Sequence, residues 1–198
     1  MPDFNLIDAA LVLLAYLFGS ISTAIIVCRL MDLPDPRLQG SNNPGATNVL
    51  RFGGKKAAAI TLFGDALKGV VPVAIALSLG IESWPLAIIA FAAFLGHLYP
   101  IFFQFRGGKG VATAFGVLAT LSWPAGLSML LTWIIIAKVF RVSSLAALLA
   151  AFLSPIYIWY WTGENALLIL SIVISLLLTW RHRSNIKKLL SGSEGKIN

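Results

Sequence analysis

Long apolar runs separated by short polar segments dominate this chain. A helix that crosses a bilayer needs about 20 mostly apolar residues. Clear runs of that kind cover Leu6–Cys28, Ala57–Leu79, Trp84–Phe105 and Ser143–Trp161, and a shorter one covers Ala166–Trp180. The pattern therefore predicts an all-α integral membrane protein.

The run Val111–Val139 is ambiguous, because it is long for one crossing. As a single helix it would extend about 43 Å. Ser122-Trp123-Pro124 lies near its middle, and a proline there indicates a break in the helix. Two shorter spans in place of one would give seven transmembrane helices in all.

The distribution of charge decides between six and seven spans. Only 12% of the residues are charged, and the net charge is +7. With seven spans and the N-terminus outside, every Lys and Arg except Lys68 lies on the inner side, whereas the outer segments carry only acids: Asp3, Asp8, Glu82 and Glu164. The positive-inside rule therefore favours seven spans with a cytoplasmic C-terminus. The positive excess indicates topology and anionic lipid, and we expect no nucleic-acid partner.

This topology gathers the polar segments on one side of the membrane. We expect residues 1–198 to form a single polytopic membrane domain with cytoplasmic motif loops at 30–56, 106–110, 138–144 and 181–198. The outer connections are only a few residues long. A site built from these loops would face the cytoplasm of a bacterial cell (inner) membrane.

The first polar loop, 37–51, reads Arg-Leu-Gln-Gly-Ser-Asn-Asn-Pro-Gly-Ala-Thr-Asn-Val-Leu-Arg. Gly40 and Gly45 can adopt positive φ, and Pro44 favours a turn between them. Hydroxyls, amides, backbone N–H groups and a guanidinium are the donors that hold a phosphate. The alternative is an ordinary cytoplasmic loop stabilised by Asx turns.

The second polar loop, Arg106-Gly-Gly-Lys-Gly110, precedes a helix that we expect to begin near Val111. The N-terminus of that helix would favour a bound anion, and Lys109 would add a positive charge. The segment is not a Walker motif. A flexible basic loop is the alternative.

Ionisable residues inside spans are functional candidates by default. His97 lies in the third span, and a structural hydrogen bond between helices is its alternative role. Asp65 and Lys68 are three residues apart in the second span and predict an ion pair that supports the site. His182 and Asn185, just beyond the last span, would share one face of a helix.

Several signatures are absent from the sequence. No acidic cluster indicates a metal site, no Gly-x-Ser-x-Gly motif is present, and neither histidine begins a His-x-x-x-x-Asp motif. We therefore expect chemistry without a metal, a cofactor or a covalent enzyme intermediate.

Three motifs resemble those of the bacterial acyl-phosphate:glycerol-3-phosphate acyltransferase family, PlsY. They are Gly40-Ser-x-Asn-x-Gly-Ala-Thr-Asn-Val-Leu-Arg51, Gly96-His-x-x-Pro-x-Phe-x-x-Phe-x-Gly-Gly-Lys-Gly-Val-Ala-Thr113 and His182-x-x-Asn-Ile186, and Ser144-Leu145 resembles a fourth, shorter segment. Asn42 stands where glycine is usual in the family, and Arg106 where lysine is usual.

The resemblance implies transfer of a fatty acyl group from acyl phosphate to the 1-hydroxyl of sn-glycerol 3-phosphate. The products are lysophosphatidate and inorganic phosphate, in the first step of phospholipid synthesis. An upstream enzyme that makes acyl phosphate is implied as well. Both substrates carry phosphate and one carries a fatty chain, which agrees with two anion-binding loops at a lipid surface.

The motifs also imply site residues. We expect four to be catalytic: Ser41, Asn48, Lys109 and Asn185. We expect ten more to bind substrate: Asn43, Gly45, Thr47, Arg51, His97, Gly107, Gly108, Gly110, Ser144 and His182. The first loop and the Gly107–Gly108 backbone would hold the acyl phosphate, whereas Arg51, Lys109, Ser144, His182 and Asn185 would orient glycerol 3-phosphate. Candidates for the base are His97, His182 and a substrate phosphate, of which we favour the phosphate.

Two other function classes share some of these features. A transporter for a phosphorylated solute would also need basic loops and intramembrane charges, but it requires polar residues at the midplane and on both faces. A lipid-binding scaffold would leave two separate Gly-rich loops without a purpose.

Overall fold

The computed structural model describes residues 4–197, and the regular elements in that range are all helices. The first helices are α1 (Leu6–Gly19), α2 (Thr23–Leu30), α3 (Ala46–Ser78) and α4 (Ser83–Leu98), followed by a 3₁₀ turn at Ile101–Phe103. The remaining helices are α5 (Val111–Leu121), α6 (Trp123–Phe140), α7 (Ser143–Thr162), α8 (Asn165–Arg181) and α9 (Arg183–Leu190). The chain separates into two compact units, the first ending at Val117 and the second beginning at Leu118.

In the first unit, small residues bring α1 and α4 into close contact. A Cβ atom on Gly19 would collide with the carbonyl of Ala93, and one on Gly96 would collide with the carbonyl of Tyr16. The Tyr16 hydroxyl donates to the Tyr99 carbonyl at 2.8 Å. Close approach at small residues is the usual way in which membrane helices associate.

Helix α5 packs against α3 in the same way. A side chain on Gly69 would meet the Thr113 carbonyl, and one on Gly116 would meet the carbonyl of Ala66. The Thr113 hydroxyl donates to the Asp65 carbonyl at 2.8 Å. The start of α5, and with it the end of the Gly-rich loop, is therefore fixed against the middle of α3.

In the second unit, α6 packs on α7, and α7 packs on α8. The hydroxyls of Thr132 and Tyr157 are 2.8 Å apart. The chain after α9 turns back, and the Ile197 amide donates to the Arg141 carbonyl at 2.6 Å. The C-terminal segment is thereby attached to the connection between α6 and α7.

Four segments of the described chain are long and apolar enough to cross a bilayer: α3, Ser83–Phe103, α6 and α7. The number rises to six if the bent pairs α1–α2 (40°) and α8–α9 (61°) each count as one span. Helix α5 is apolar but has only 11 residues. The seven spans and the orientation of the termini stay a prediction.

Several predicted boundaries were wrong. The run Leu6–Cys28 contains two helices, which pass together as one bent span ending at Leu30. The bend arises because the chain leaves helical geometry after Ser20, whose hydroxyl donates to the Tyr16 carbonyl. The predicted loops are shorter than expected: α3 already begins at Ala46 and bends at Gly54, and α9 occupies part of the 181–198 tail. The break at Ser122 is as predicted. Asp3 lies outside the described residues.

Candidate functional site

The Asn48 side chain holds the first motif loop together from inside. It is buried, and its Oδ1 atom accepts a hydrogen bond from the Ser41 amide at 2.9 Å. Its Nδ2 atom donates to the carbonyls of Pro36 and Gln39 at 3.0 and 2.9 Å. Because an amide NH₂ has only two hydrogens, this geometry argues against the direct catalytic contact predicted for Asn48.

The backbone of this loop turns at Gly40 and Asn42, which have φ values of 57° and 56°. Asparagine tolerates this left-handed region better than most residues, which explains how Asn42 fits this turn. The positive φ expected at Gly45 was wrong. Gly45 is extended (φ −153°) because it is the N-cap residue of α3.

The remaining candidates of the first motif lie near the surface. Ser41, Thr47 and Arg51 are exposed, and Asn43 is half-buried. Thr47 and Arg51 are four residues apart on α3 and therefore share one helix face. Their hydroxyl and guanidinium lie where a bound anion could reach them.

Arg37, at the other end of the loop, is paired with an acid. Its guanidinium makes three contacts of 2.7 to 3.1 Å with the Asp35 carboxylate. The hydrogen bonds from Arg37 lower the pKa of Asp35, and the carboxylate raises the pKa of Arg37. Arg37 and Arg51, at the two ends of the loop, therefore differ, because the guanidinium of Arg37 is held by a neighbouring carboxylate.

The Gly-rich loop 106–110 lies between two left-handed residues and the start of α5. Gln104 and Phe105 have φ values of 59° and 58°, a conformation that costs non-glycine residues energy. Gly107, Gly108 and Gly110 are buried, and Lys109 is half-buried. Helix α5 begins at Val111 as predicted.

The two motif loops of the first unit meet at Gly108. A Cβ atom there would collide with Nε2 of His97 and would lie 3.1 Å from the Pro44 carbonyl. The Gly108 amide also donates to the His97 carbonyl at 3.2 Å. A side chain larger than hydrogen at this position would push the loops apart.

His97 joins this meeting point to the buried ion pair of α3. Lys68 Nζ lies 2.9 Å from Asp65 Oδ1 and 3.0 Å from His97 Nδ1. All three side chains are at least nine-tenths buried. The predicted pair at Asp65 and Lys68 is confirmed, and His97 is its third member.

In the second unit, the predicted residues Ser144 and Asn185 converge on a carboxylate. The Ser144 hydroxyl and the Asn185 amide nitrogen both donate to Glu194 Oε1, at 2.8 and 2.6 Å. Glu194 was missed in the sequence analysis. The tail 181–198 was treated there as a basic segment, and the nine-residue separation from Asn185 gave no helical signal.

His182 is buried at the joint between α8 and α9. Its Nδ1 atom lies 2.8 Å from the Leu178 carbonyl oxygen. Asn185 follows it in the first turn of α9. Among residues 4–197, no group of three or more His, Cys, Asp or Glu side chains is arranged to hold a metal ion.

The chain is similar along nearly its whole length to one group of known proteins. The family described as glycerol-3-phosphate acyltransferase matches residues 9–192. Glycerol-3-phosphate acyltransferases of Methylococcus capsulatus and Thioalkalivibrio sulfidiphilus are 56% and 57% identical to this chain. The alignments cover 96% and 97% of this chain and 96% and 95% of those proteins.

Two crystal structures of PlsY (YgiH), an integral membrane glycerol 3-phosphate acyltransferase, have the same fold. The glycerol 3-phosphate form superposes with a TM-score of 0.92 at 42% identity and covers 96% of each chain. The lysophosphatidic acid form superposes with a TM-score of 0.90 at 41% identity and covers 96% of this chain and 95% of that one.

Proposed function

The chain belongs to the glycerol-3-phosphate acyltransferase family of integral membrane enzymes, and from this premise we propose that its acyl donor is acyl phosphate. The enzyme would move the fatty acyl group to the 1-hydroxyl of sn-glycerol 3-phosphate. It would release lysophosphatidate and inorganic phosphate. An enzyme that makes acyl phosphate must then act upstream.

The observation that carries this proposal is the contact of both motif loops at Gly108. Both substrates carry a phosphoryl group, and the loops around Pro44 and Gly108 supply backbone donors, exposed hydroxyls and two cations within one unit. Acyl phosphate is already activated. Proximity and electrostatic stabilisation of the leaving phosphate can therefore supply most of the rate.

In the first unit, Ser41, Asn43, Thr47 and the backbone of Gly45, Gly107, Gly108 and Gly110 would bind the phosphoryl groups. Arg51 and Lys109 would bind the phosphate of glycerol 3-phosphate and orient that substrate. Asn48 would act as a positioning residue, because its hydrogen bonds hold Ser41 and the loop in place.

In the second unit, Ser144, His182 and Asn185 would bind glycerol 3-phosphate. Glu194 would orient the hydroxyl of Ser144 and the amide of Asn185 by accepting from both. Glu194 would thus be a positioning residue at this cluster.

In the reaction, the 1-hydroxyl oxygen of glycerol 3-phosphate attacks the carbonyl carbon of acyl phosphate. The new ester bond forms as the bond between that carbon and the phosphate oxygen breaks. The departing phosphate takes the electron pair, and a substrate phosphate oxygen takes the hydroxyl proton. No covalent enzyme intermediate is needed.

We propose seven spans in one polytopic domain of the bacterial inner membrane, with α5 as a short span and the N-terminus outside. The motif residues would then face the cytoplasm, where glycerol 3-phosphate is dissolved. This proposal is supported by the positive-inside distribution of Lys and Arg.

A donor comparison tests the proposed function. The purified protein in lipid is supplied with glycerol 3-phosphate and either palmitoyl phosphate or a palmitoyl thioester, without added metal. We expect lysophosphatidate only from palmitoyl phosphate. Product from the thioester alone would show that the donor is wrong, and no product from either would contradict the reaction.

A further inference from the structure

The buried group Asp65–Lys68–His97 contains a contact, between Lys68 and His97, that the Asp65–Lys68 ion pair alone does not explain. Charged side chains within a membrane-spanning helix are costly, and partners or function usually account for them. Asp65 is already matched by Lys68 at 2.9 Å and by a hydrogen bond from the Thr23 hydroxyl. Yet the Lys68 ammonium also reaches His97.

The contact between Lys68 and His97 fixes the tautomer of the imidazole. A lysine ammonium has three hydrogens and no acceptor, and Lys68 Nζ forms an ion pair with Asp65 Oδ1 at 2.9 Å. Nδ1 of His97, 3.0 Å from Lys68 Nζ, must therefore be the acceptor. Nδ1 lies 3.7 Å from Asp65 Oδ1, which is too far for a hydrogen bond to that carboxylate. The ring is thus neutral and carries its proton on Nε2.

The protonated nitrogen lies on the side of the Gly-rich loop. Nε2 of His97 occupies the space into which a side chain of Gly108 would project. The His97 carbonyl accepts from the Gly108 amide. One residue therefore supports the loop with its backbone and directs an N–H group at it with its ring.

We propose that Asp65 and Lys68 are positioning residues that hold His97 as the Nε2–H tautomer, a hydrogen-bond donor to the phosphoryl group bound by loop 106–110. In this state His97 has no lone pair on the loop side, so it does not act as the general base. The assignment of the ligand rests on the proposed function, whereas the assignment of the tautomer does not.

The other histidine provides an internal comparison. Nδ1 of His182 lies 2.8 Å from the Leu178 carbonyl oxygen, which can only accept. Nδ1 of His182 therefore carries a proton. The two histidines of the sequence are predicted to differ in the nitrogen that serves as donor, which a spectrum can distinguish.

The test is a ¹⁵N spectrum of histidine-labelled protein in lipid. With two histidines, His182→Gln assigns the signals. We expect His97 to have a protonated Nε2 and an unprotonated Nδ1. The reverse tautomer, or a ring protonated at both nitrogens, would overturn the proposal even if the enzyme is active as proposed.

A paired substitution tests the positioning role. Asp65→Asn combined with Lys68→Met removes both charges together, which avoids leaving one buried charge unpaired. We expect His97 to lose its single tautomer. We also expect KM to rise about tenfold for the substrate whose phosphoryl group loop 106–110 binds, because the loss of one hydrogen bond weakens binding by about that factor. An unchanged tautomer with an unchanged KM would contradict the positioning role.

Replacing His97 itself separates a donor from a base. Glutamine can place an N–H group near the position of Nε2, whereas alanine cannot. If His97 is a donor, His97→Gln should retain at least about tenfold more activity than His97→Ala. Equal loss in the two variants, both folded as judged by thermal unfolding in lipid, would contradict the proposed donor.

Discussion

The two regions that carry the candidate residues are built differently. In segment 36–51, side-chain and backbone groups bond to one another, with Asn48 at the centre of three hydrogen bonds. In segment 141–197, Ser144 and Asn185 instead point at a carboxylate that arrives from the end of the chain. The first region is a locally folded scaffold, and the second is assembled from residues distant in sequence.

The two asparagines illustrate what this difference teaches. Both were predicted to be catalytic because both lie in motifs. Asn48 is buried and its amide hydrogens are used within the loop, whereas Asn185 is half-buried and donates to Glu194. The same residue type in a motif can therefore bond within its own loop or to a carboxylate elsewhere in the chain, and only its partners distinguish these two arrangements.

The largest expected effect separates the two arginines of the first region. Arg51→Ala should reduce kcat/KM by about 10²- to 10³-fold, because it removes a cation that binds the phosphate of glycerol 3-phosphate. Arg37→Ala, the matched control, should reduce it by less than about threefold, since its guanidinium is paired with Asp35. Steady-state kinetics with palmitoyl phosphate would measure both, and equal losses would contradict the distinction.

The scaffold role of Asn48 predicts a loss of stability. Asn48→Ala should lower the free energy of unfolding by about 3 kcal/mol, since three hydrogen bonds contribute about 1 kcal/mol each. Asn185→Ala, the corresponding change in the second region, should lower it by less than about 1 kcal/mol while reducing activity. Thermal unfolding in lipid measures both. Greater destabilisation by Asn185→Ala would reverse the comparison.

The second region depends on the charge of Glu194. Glu194→Gln should raise KM for glycerol 3-phosphate about tenfold, because hydrogen bonds to a charged acceptor are stronger than those to a neutral one. Glu164→Gln, at an exposed position between α7 and α8, is the control and should have no effect. A lower KM in Glu194→Gln would mean that the carboxylate competes with substrate.

The smallest expected effect concerns pH and the Asp35–Arg37 pair. The pKa of Asp35 is lowered in the folded protein, so the pair stabilises the fold above the ordinary carboxyl pKa. This stabilisation is lost as the pH falls through the lowered value. At neutral pH, the free energy of unfolding of the wild type should exceed that of Asp35→Asn by at most about 1 kcal/mol. The difference should disappear in acid, and a difference that grew in acid would contradict this sign.

Much of the fold could be predicted because each element has a local cause. The apolar runs indicated the helices, Ser122-Trp123-Pro124 indicated the break between α5 and α6, and the i, i+3 spacing indicated the Asp65–Lys68 pair. The break after Ser20 could not be predicted in this way, because no proline or charged residue lies near Ser20 in the first apolar run.

The partners within the candidate site were harder to predict. Glu194 contacts Ser144 across 50 positions, and Lys68 contacts His97 across 29. Such contacts depend on how helices pack and leave no periodic signal in the sequence. The motifs therefore supplied the candidate residues, but the structure was needed to show that Asn48 and Asn185, and likewise Arg37 and Arg51, have different surroundings.

The most direct test of the proposed acyl transfer is the molar ratio of lysophosphatidate to inorganic phosphate formed from palmitoyl phosphate and glycerol 3-phosphate. It would be measured in the wild type, in Lys109→Ala and in a control, Lys138→Ala, whose lysine is exposed at the end of α6. The account predicts equal amounts of both products in the wild type and the control, and loss of both in Lys109→Ala. Phosphate without lysophosphatidate, or full activity of Lys109→Ala, would contradict it.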